Sequence, residues 1–227
     1  MRLKNLILGD FQFQYKYGFF FVYTIFTIFY ISMVSVLPKE WMHKIVSILI
    51  YSDPAAMGLF FMGAILLLEK SQRVISSIAI SPVKSSEYIL SKVISLGITG
   101  TVVGTLIALF SGAGNLFGII IGTFLGSVIF SLLGLLVASR ITSLNQFLVA
   151  SLPFELISFA PPIIYMFGYR KPYMLLHPGC ILIHLMSYGA SHMAGYILYL
   201  LFWIGIIYLI TIQQVKFMFR CIGGVTL

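Results

Sequence analysis

The chain is 227 residues long, 60% apolar and only 9% charged, against the roughly 25% charged residues of soluble domains. Its apolar runs repeatedly exceed the ~20 residues that cross the hydrocarbon core of a bilayer, which excludes a soluble globular protein and predicts one helical membrane domain over 1–227. The formal charge of +8 does not mark a nucleic-acid partner, because the basic residues sit at the ends of apolar runs, where lipid headgroups and topology account for them.

The runs are continuous rather than alternating, so the expected class is all-α with six transmembrane helices and no barrel. Residues 1–17 place Arg2, Lys4 and Lys16 among Leu3, Leu6, Ile7, Phe11 and Phe13, a pattern for an amphipathic helix lying in the interface. Phe11 to Tyr17 alternates like a strand, but a lone strand has no pairing partner, so a helix is expected there too. The first span covers 18–37 and is too long for a signal-peptide core. Pro38 to His43 reads as a short loop, and the second span covers 44–68. Asp53-Pro54 falls inside it as a kink or loosened turn. A carboxylate within the membrane is costly unless it faces protein or water, which makes Asp53 a candidate pathway residue. A later start to the span would instead make it the cap ahead of Pro54.

The polar interruption at 69–86 follows. Val74, Ile75, Ile78 and Ala79 share one helical face with Lys70, Gln72 and Arg73 opposite, which predicts a short amphipathic helix from Lys70 to Ile80. Ser81-Pro82 stops it. Ser85 or Ser86 is expected to cap the next helix, with Glu87 in its first turn.

Spans three (87–111) and four (116–137) read as a tight hairpin. Gly100, Gly104 and Ala108 recur every four residues, as do Gly118, Gly122 and Gly126, and such faces let helix backbones approach closely. A turn from Arg140 to Gln146 leads to span five (147–167), expected to be broken by Pro153, Glu155 and Pro161-Pro162. A broken helix at membrane depth lines protein or water, and Glu155 is the ionisable residue placed to do so. Residues 169–194 are apolar but interrupted, and read as a re-entrant or interfacial outer segment. His177, His184 and His192 lie near one helical face, but interfacial histidine is commonplace and no carboxylate stands nearby, so no metal is expected. Span six covers 195–212.

With both ends on one side, Arg2, Lys4, Lys16, Lys70, Arg73, Lys84, Lys92, Arg140, Lys216 and Arg220 share that side, against Lys39, Lys44, Arg170 and Lys171 on the other. The positive-inside bias makes the first side cytoplasmic. It also puts Cys180 and Cys221 on opposite faces, where they cannot bridge.

A span ending in Glu69-Lys70, a short helix, Ser81-Pro82, and then Glu87-Tyr88 and Lys92 at the next span resembles the ABC-2 permease family. Asn145, Gln146, Leu152, Pro153, Pro161 and Pro178 follow that family's order further along, although Ser158-Phe159-Ala160 stands where the family has Ser-Gly. The resemblance implies one membrane subunit of an exporter in a bacterial inner membrane. A coupling helix, here with Glu69, Lys70, Arg73, Val74, Ile78, Ser81, Pro82 and Glu87, would dock on a separate ATP-binding cassette ATPase pair. The pathway would open between two permease subunits, with Asp53, Phe154, Glu155, Phe159 and Tyr165 beside a hydrophobic or amphipathic cargo (drug, peptide or lipid). The chain has no Gly-x-x-x-x-Gly-Lys-Ser/Thr loop, so ATP and magnesium are expected on the partner and no cofactor on this chain. The competing classes are a secondary carrier or channel, which an internal repeat would favour, and an intramembrane enzyme. The latter would need a constellation that six carboxylates, mostly at span ends, do not suggest.

Overall fold

The computed structural model describes residues 2–188 and 193–222, without the side chains of 39–44 and 222. Backbone polar groups in hydrocarbon must be satisfied within their own segment, and the long apolar runs accordingly form six helices of spanning length. In chain order the elements are α1 (Arg2–Lys16), α2 (Phe19–Val36), α3 (Lys39–Ile50), a π-turn (Tyr51–Ala55), α4 (Met57–Ser71), α5 (Val74–Ala79), α6 (Ser85–Phe110), α7 (Leu116–Ser139), α8 (Leu144–Met166), a 3-10 turn (Pro172–Leu176), α9 (Pro178–Tyr188) and α10 (Met193–Ile222).

Helix α1 turns Gln14 inward beside the half-buried Leu3, Leu6, Ile7, Phe11 and Phe13, and leaves Arg2, Lys4, Asn5, Gln12 and Lys16 exposed. The Gln14 amide donates to Ser95 Oγ at 3.0 Å and accepts from Thr99 Oγ1 at 3.2 Å, while Leu8 and Tyr15 are exposed. The helix therefore lies along the N-terminal half of α6, with most of its apolar residues toward the bundle. Gly18, at φ +77°, turns the chain into α2.

The second span runs from Ile45 to Ser71 through α3, the π-turn and α4. The backbone is already helical from Lys39, where a loop was expected, because Pro38 ends the preceding link and supplies a helix start. Pro54 has no N–H, and a π-turn closes i→i+5 bonds that step past the missing donor. This is the expected loosened turn, and Asp53 sits inside the span rather than at its start.

Ile45–Ser71, α6 and α7 bury 56–72% of their apolar windows, whereas α2, α8 and α10 bury 17–22%. Three helices thus form the core and three the rim. The glycine faces set that core. A Cβ on Gly100 would lie 2.5 Å from the Pro54 carbonyl oxygen, one on Gly104 3.0 Å from Thr123, and one on Gly126 3.1 Å from Ala55. Ala108 is fully buried. Gly118 and Gly122 instead receive α9, against the Leu185 carbonyl and Met186. Gly134 meets the Leu59 backbone and Gly63 the Phe147 ring, two close approaches that lie outside the four-residue repeats.

Helix α8 corrects an expectation, because it is continuous through Pro153, Pro161 and Pro162. A proline leaves the carbonyl four residues earlier without its donor, and distant side chains replace two of the three. The Tyr51 hydroxyl donates to Ser158 O at 2.7 Å, the carbonyl freed by Pro162. The His177 ring bonds the carbonyl of Ile157, the one freed by Pro161, while His177 Nδ1 accepts from the Gly179 N–H at 3.2 Å.

The segment after α8 dips back. Gly179 packs on Pro162 and the Ser158 carbonyl, about two turns (~12 Å) inside the end of α8. The last turn of α9 returns to Asn115, whose Nδ2 donates to Leu185 O at 2.7 Å while its Oδ1 accepts from Gly118 N at 3.2 Å. At 11 residues α9 is too short to cross a membrane.

Candidate functional site

The end of α4, the start of α6 and α1 meet at one charged joint. Lys92 is 2% exposed, and its ammonium lies 2.5 Å from Glu69 Oε1 and 2.8 Å from Asp10 Oδ1. The Tyr88 hydroxyl donates to Glu69 Oε2 at 2.6 Å, and Lys92 stands 4.9 Å over the Tyr88 ring and 6.0 Å from that of Phe13. Tyr88, Lys92, Ser95 and Thr99 fall at helical spacings on one face of α6, which is why a single helix can receive both Glu69 and α1. Taking ions out of water costs several kcal/mol each, and only close pairing with filled hydrogen bonds offsets it. Two carboxylates against one ammonium leave a net negative charge, and Asp10 Oδ2 is buried with no partner.

Lys70, the next residue, points elsewhere. Its ammonium donates to the carbonyls of Ala138, Ser139 and Ile141 at 2.7, 2.8 and 2.7 Å. These acceptors sit at the end of α7, where helix carbonyls lack donors and the macrodipole is negative. Glu69 and Lys70 thus fix the end of α4 to two different parts of the core. The turn that follows is sharp, with Arg73 at φ +58°. Arg140 in turn donates to Gln214 on α10 at 2.7 Å.

The amphipathic helix expected over 70–80 is shorter, Val74–Ala79. Ile75 is buried and Val74 and Ile78 half-buried, with Ile78 packed on the core. Ser81 turns back to the Ile78 carbonyl at 2.7 Å, and the Pro82 carbonyl accepts from Arg2 at 3.3 Å. Neither Ser85 nor Ser86 caps α6. Lys84 holds the cap position, and its N–H donates to the Glu87 carboxylate at 2.9 Å, because a carboxylate three residues in reaches the same orphan donor. Of the candidate coupling residues, Glu69 and Lys70 face inward, while Arg73 and Pro82 face out beside Ser77 and Ile80. Ile80 is 83% exposed. Sequence reading missed it, since an isoleucine on the polar side of a six-residue helix carries no periodic signal.

The candidate pathway residues separate into three places. Phe159 packs on Tyr51 and Phe130, with centroids 5.5 and 5.8 Å apart, beside a cavity of about 240 Å³ that Trp203, His177 and Leu182 also line. Tyr165 is buried and bonds His184 Nδ1 at 2.8 Å. Glu155 and Phe154 are half-buried on α8, with Glu155 accepting from Ser151 at 2.7 Å. Asp53, two residues beyond Tyr51, turns away from this group toward Tyr23 and Tyr30 of α2. His177 and His184 are both engaged in packing bonds, and burial draws both below the ordinary histidine range. His192 lies outside the described residues.

Compared with known protein families and with curated proteins, the chain matches none. The functional reading therefore rests on the geometry of the joint and on the residues it presents.

Proposed function

We propose that the chain is the membrane-spanning subunit of an ATP-binding cassette exporter, with its polar loop as the docking element for a separate ATPase pair. The observation that carries this reading is the locking of the loop at both ends. Glu69 and Lys92 hold it on α6 and α1, Lys70 holds it on α7, and Ile80 stands 83% exposed between them. A push on α5 would pass into α4, α6 and α1 as one body, and the outward side of the loop, with Arg73, Ser77, Ile80 and Pro82, would be the docking face.

Two copies would face each other through the rim. Glu155 stands midway along α8, a helix that buries only 17% of its apolar window, and a carboxylate there is costly against lipid but tolerable against a second subunit or water. Phe154, Glu155, Phe159 and the neighbouring cavity lined by Tyr51, Phe130 and Trp203 would border the cargo, an amphipathic drug, peptide or lipid. The dip through α9 would be the re-entrant outer segment, and the membrane the bacterial inner one with both chain ends cytoplasmic. A secondary carrier is the second reading, favoured by the buried carboxylate of Asp53.

The test is purification of the tagged chain from its native cells in mild detergent, with an ATPase assay and identification of co-purifying chains, beside an Ile80→Asp/Arg73→Glu variant. An ATP-hydrolysing partner that the variant loses while staying folded is the expected outcome. Stable chain with no such partner would overturn the exporter reading in favour of the carrier.

A further inference from the structure

The second span carries a feature that neither the loop nor the rim uses. Asp53 sits in the π-turn, 6% exposed, with Oδ2 buried and unpartnered. The hydroxyl of Tyr23, 2% exposed on the facing side of α2, is also buried without a partner. Tyr30, two helical turns along α2, is a hydrogen-bonding neighbour of the same carboxyl. Buried polar atoms without a partner on two neighbouring spans call for an explanation.

We propose that Asp53 is a proton-binding site inside the membrane-spanning bundle, holding the proton on Oδ2 in the company of the Tyr23 and Tyr30 hydroxyls.

The groups around Asp53 favour a proton over a counter-ion or a bound metal ion. The π-turn is packed by α6 through Gly100, by α7 through Gly126, and by α3 and α4. From α2 come only the two tyrosines. No charged side chain among the described residues pairs with Asp53, since the ion pairs found there are the two of Lys92. An ionised carboxylate would thus be a lone charge in a medium that solvates it poorly, whereas the neutral acid is tolerated. An alkali ion would need several oxygen ligands, whereas the backbone of α6 packs tightly on the Pro54 carbonyl of the turn at Gly100. Uptake is a simple transfer in which carboxylate and hydronium give carboxylic acid and water. The new O–H can donate to a tyrosine hydroxyl oxygen, and π-turns recur at functional positions in helices.

This inference depends on burial and pairing alone and stands whether or not an ATPase partner exists. The experiment is infrared difference spectroscopy of the full chain in lipid nanodiscs across a pH series, for the wild type, Asp53→Asn and Tyr23→Phe, with melting temperatures measured alongside. The expected result is the carbonyl band of a protonated carboxylic acid at neutral pH. It should be absent in Asp53→Asn, shifted in Tyr23→Phe and lost on alkalinisation, and the wild type should lose melting temperature as pH rises while Asp53→Asn does not. If Asp53→Asn fails to fold, the shift in Tyr23→Phe still assigns the band. No such band down to mildly acidic pH, or stabilisation by sodium or potassium ions at constant ionic strength that Asp53→Asn abolishes, would overturn the proposal.

Discussion

The Tyr51 hydroxyl donates a 2.7 Å hydrogen bond to the carbonyl of Ser158, an acceptor that is free because Pro162 cannot supply the helical N–H. Removing that donor leaves a buried carbonyl unpaired, so Tyr51→Phe should destabilise the fold by about 1–3 kcal/mol. In a Pro162→Ala background the helix supplies its own donor and the same change should cost far less. Equilibrium unfolding of the four chains in mixed micelles measures the coupling, and an equal cost in both backgrounds would refute the link between the two residues.

Lys92 separates two carboxylates in a buried joint. Lys92→Met should cost about 3–5 kcal/mol, the scale for leaving buried charges uncompensated. Because Asp10 is the anchor on α1, the loss should appear first as faster hydrogen exchange over residues 2–16, ahead of global unfolding. Adding Asp10→Asn and Glu69→Gln to Lys92→Met should restore much of the stability, since the remaining groups are then neutral.

Lys70 points three donors at three carbonyls converging on one corner. Lys70→Met should lose about 1.5–3 kcal/mol, the scale for hydrogen bonds to a charged group. Lys70→Arg should recover little of it, because a planar guanidinium fork cannot reproduce that convergence. Melting temperatures of the three chains decide the matter, and full rescue by arginine would show that charge alone suffices at the end of α7.

The two engaged histidines give the fold a dependence on acid. Burial draws His177 down, opposed by its bond to the Ile157 carbonyl, and burial with the Arg170 guanidinium draws His184 down. The folded chain then holds these protons less firmly than the unfolded one. Their contribution is complete above the ordinary histidine value of about 6.5 and is lost as pH falls through that value toward the lowered ones. In an Asp53→Asn background, which removes the opposing slope of that carboxyl, melting temperature should fall between about pH 8 and about pH 5, and adding His184→Gln should remove part of the slope. An unchanged slope would show that His184 does not contribute.

Hydropathy made the six spans legible, and the Asp53-Pro54 pair marked the loosened turn, because both signals are local. The continuity of α8 was hidden for the opposite reason. Its proline defects are met by Tyr51, 107 residues from Ser158, and by His177, and nothing near the prolines announces such donors. Lys92 is conspicuous as a charge within an apolar helix, and Asp10 as the one acid among the first 17 residues. That they pair across 82 positions required the fold. Lys70 could not be assigned at all from sequence, since its acceptors are backbone carbonyls that carry no residue identity. The glycine repeats announced close contact but not their partners, which are the π-turn for Gly100 and Gly126, Thr123 for Gly104, and α9 for Gly118 and Gly122.

The three carbonyls that hold Lys70 also impose an order on biosynthesis. Lys70 is made 68 residues before Ala138, the first of its acceptors, so the loop leaves the ribosome well before the core that fixes it. During that interval the ammonium has only water and lipid headgroups to satisfy it, and α4 can settle neither its depth nor its rotation at that end. Arrival of α7 supplies the acceptors and sets both at once. The loop becomes a finished surface only after the fourth span is in place, so a partner that reads this surface would meet only a bundle whose core is assembled.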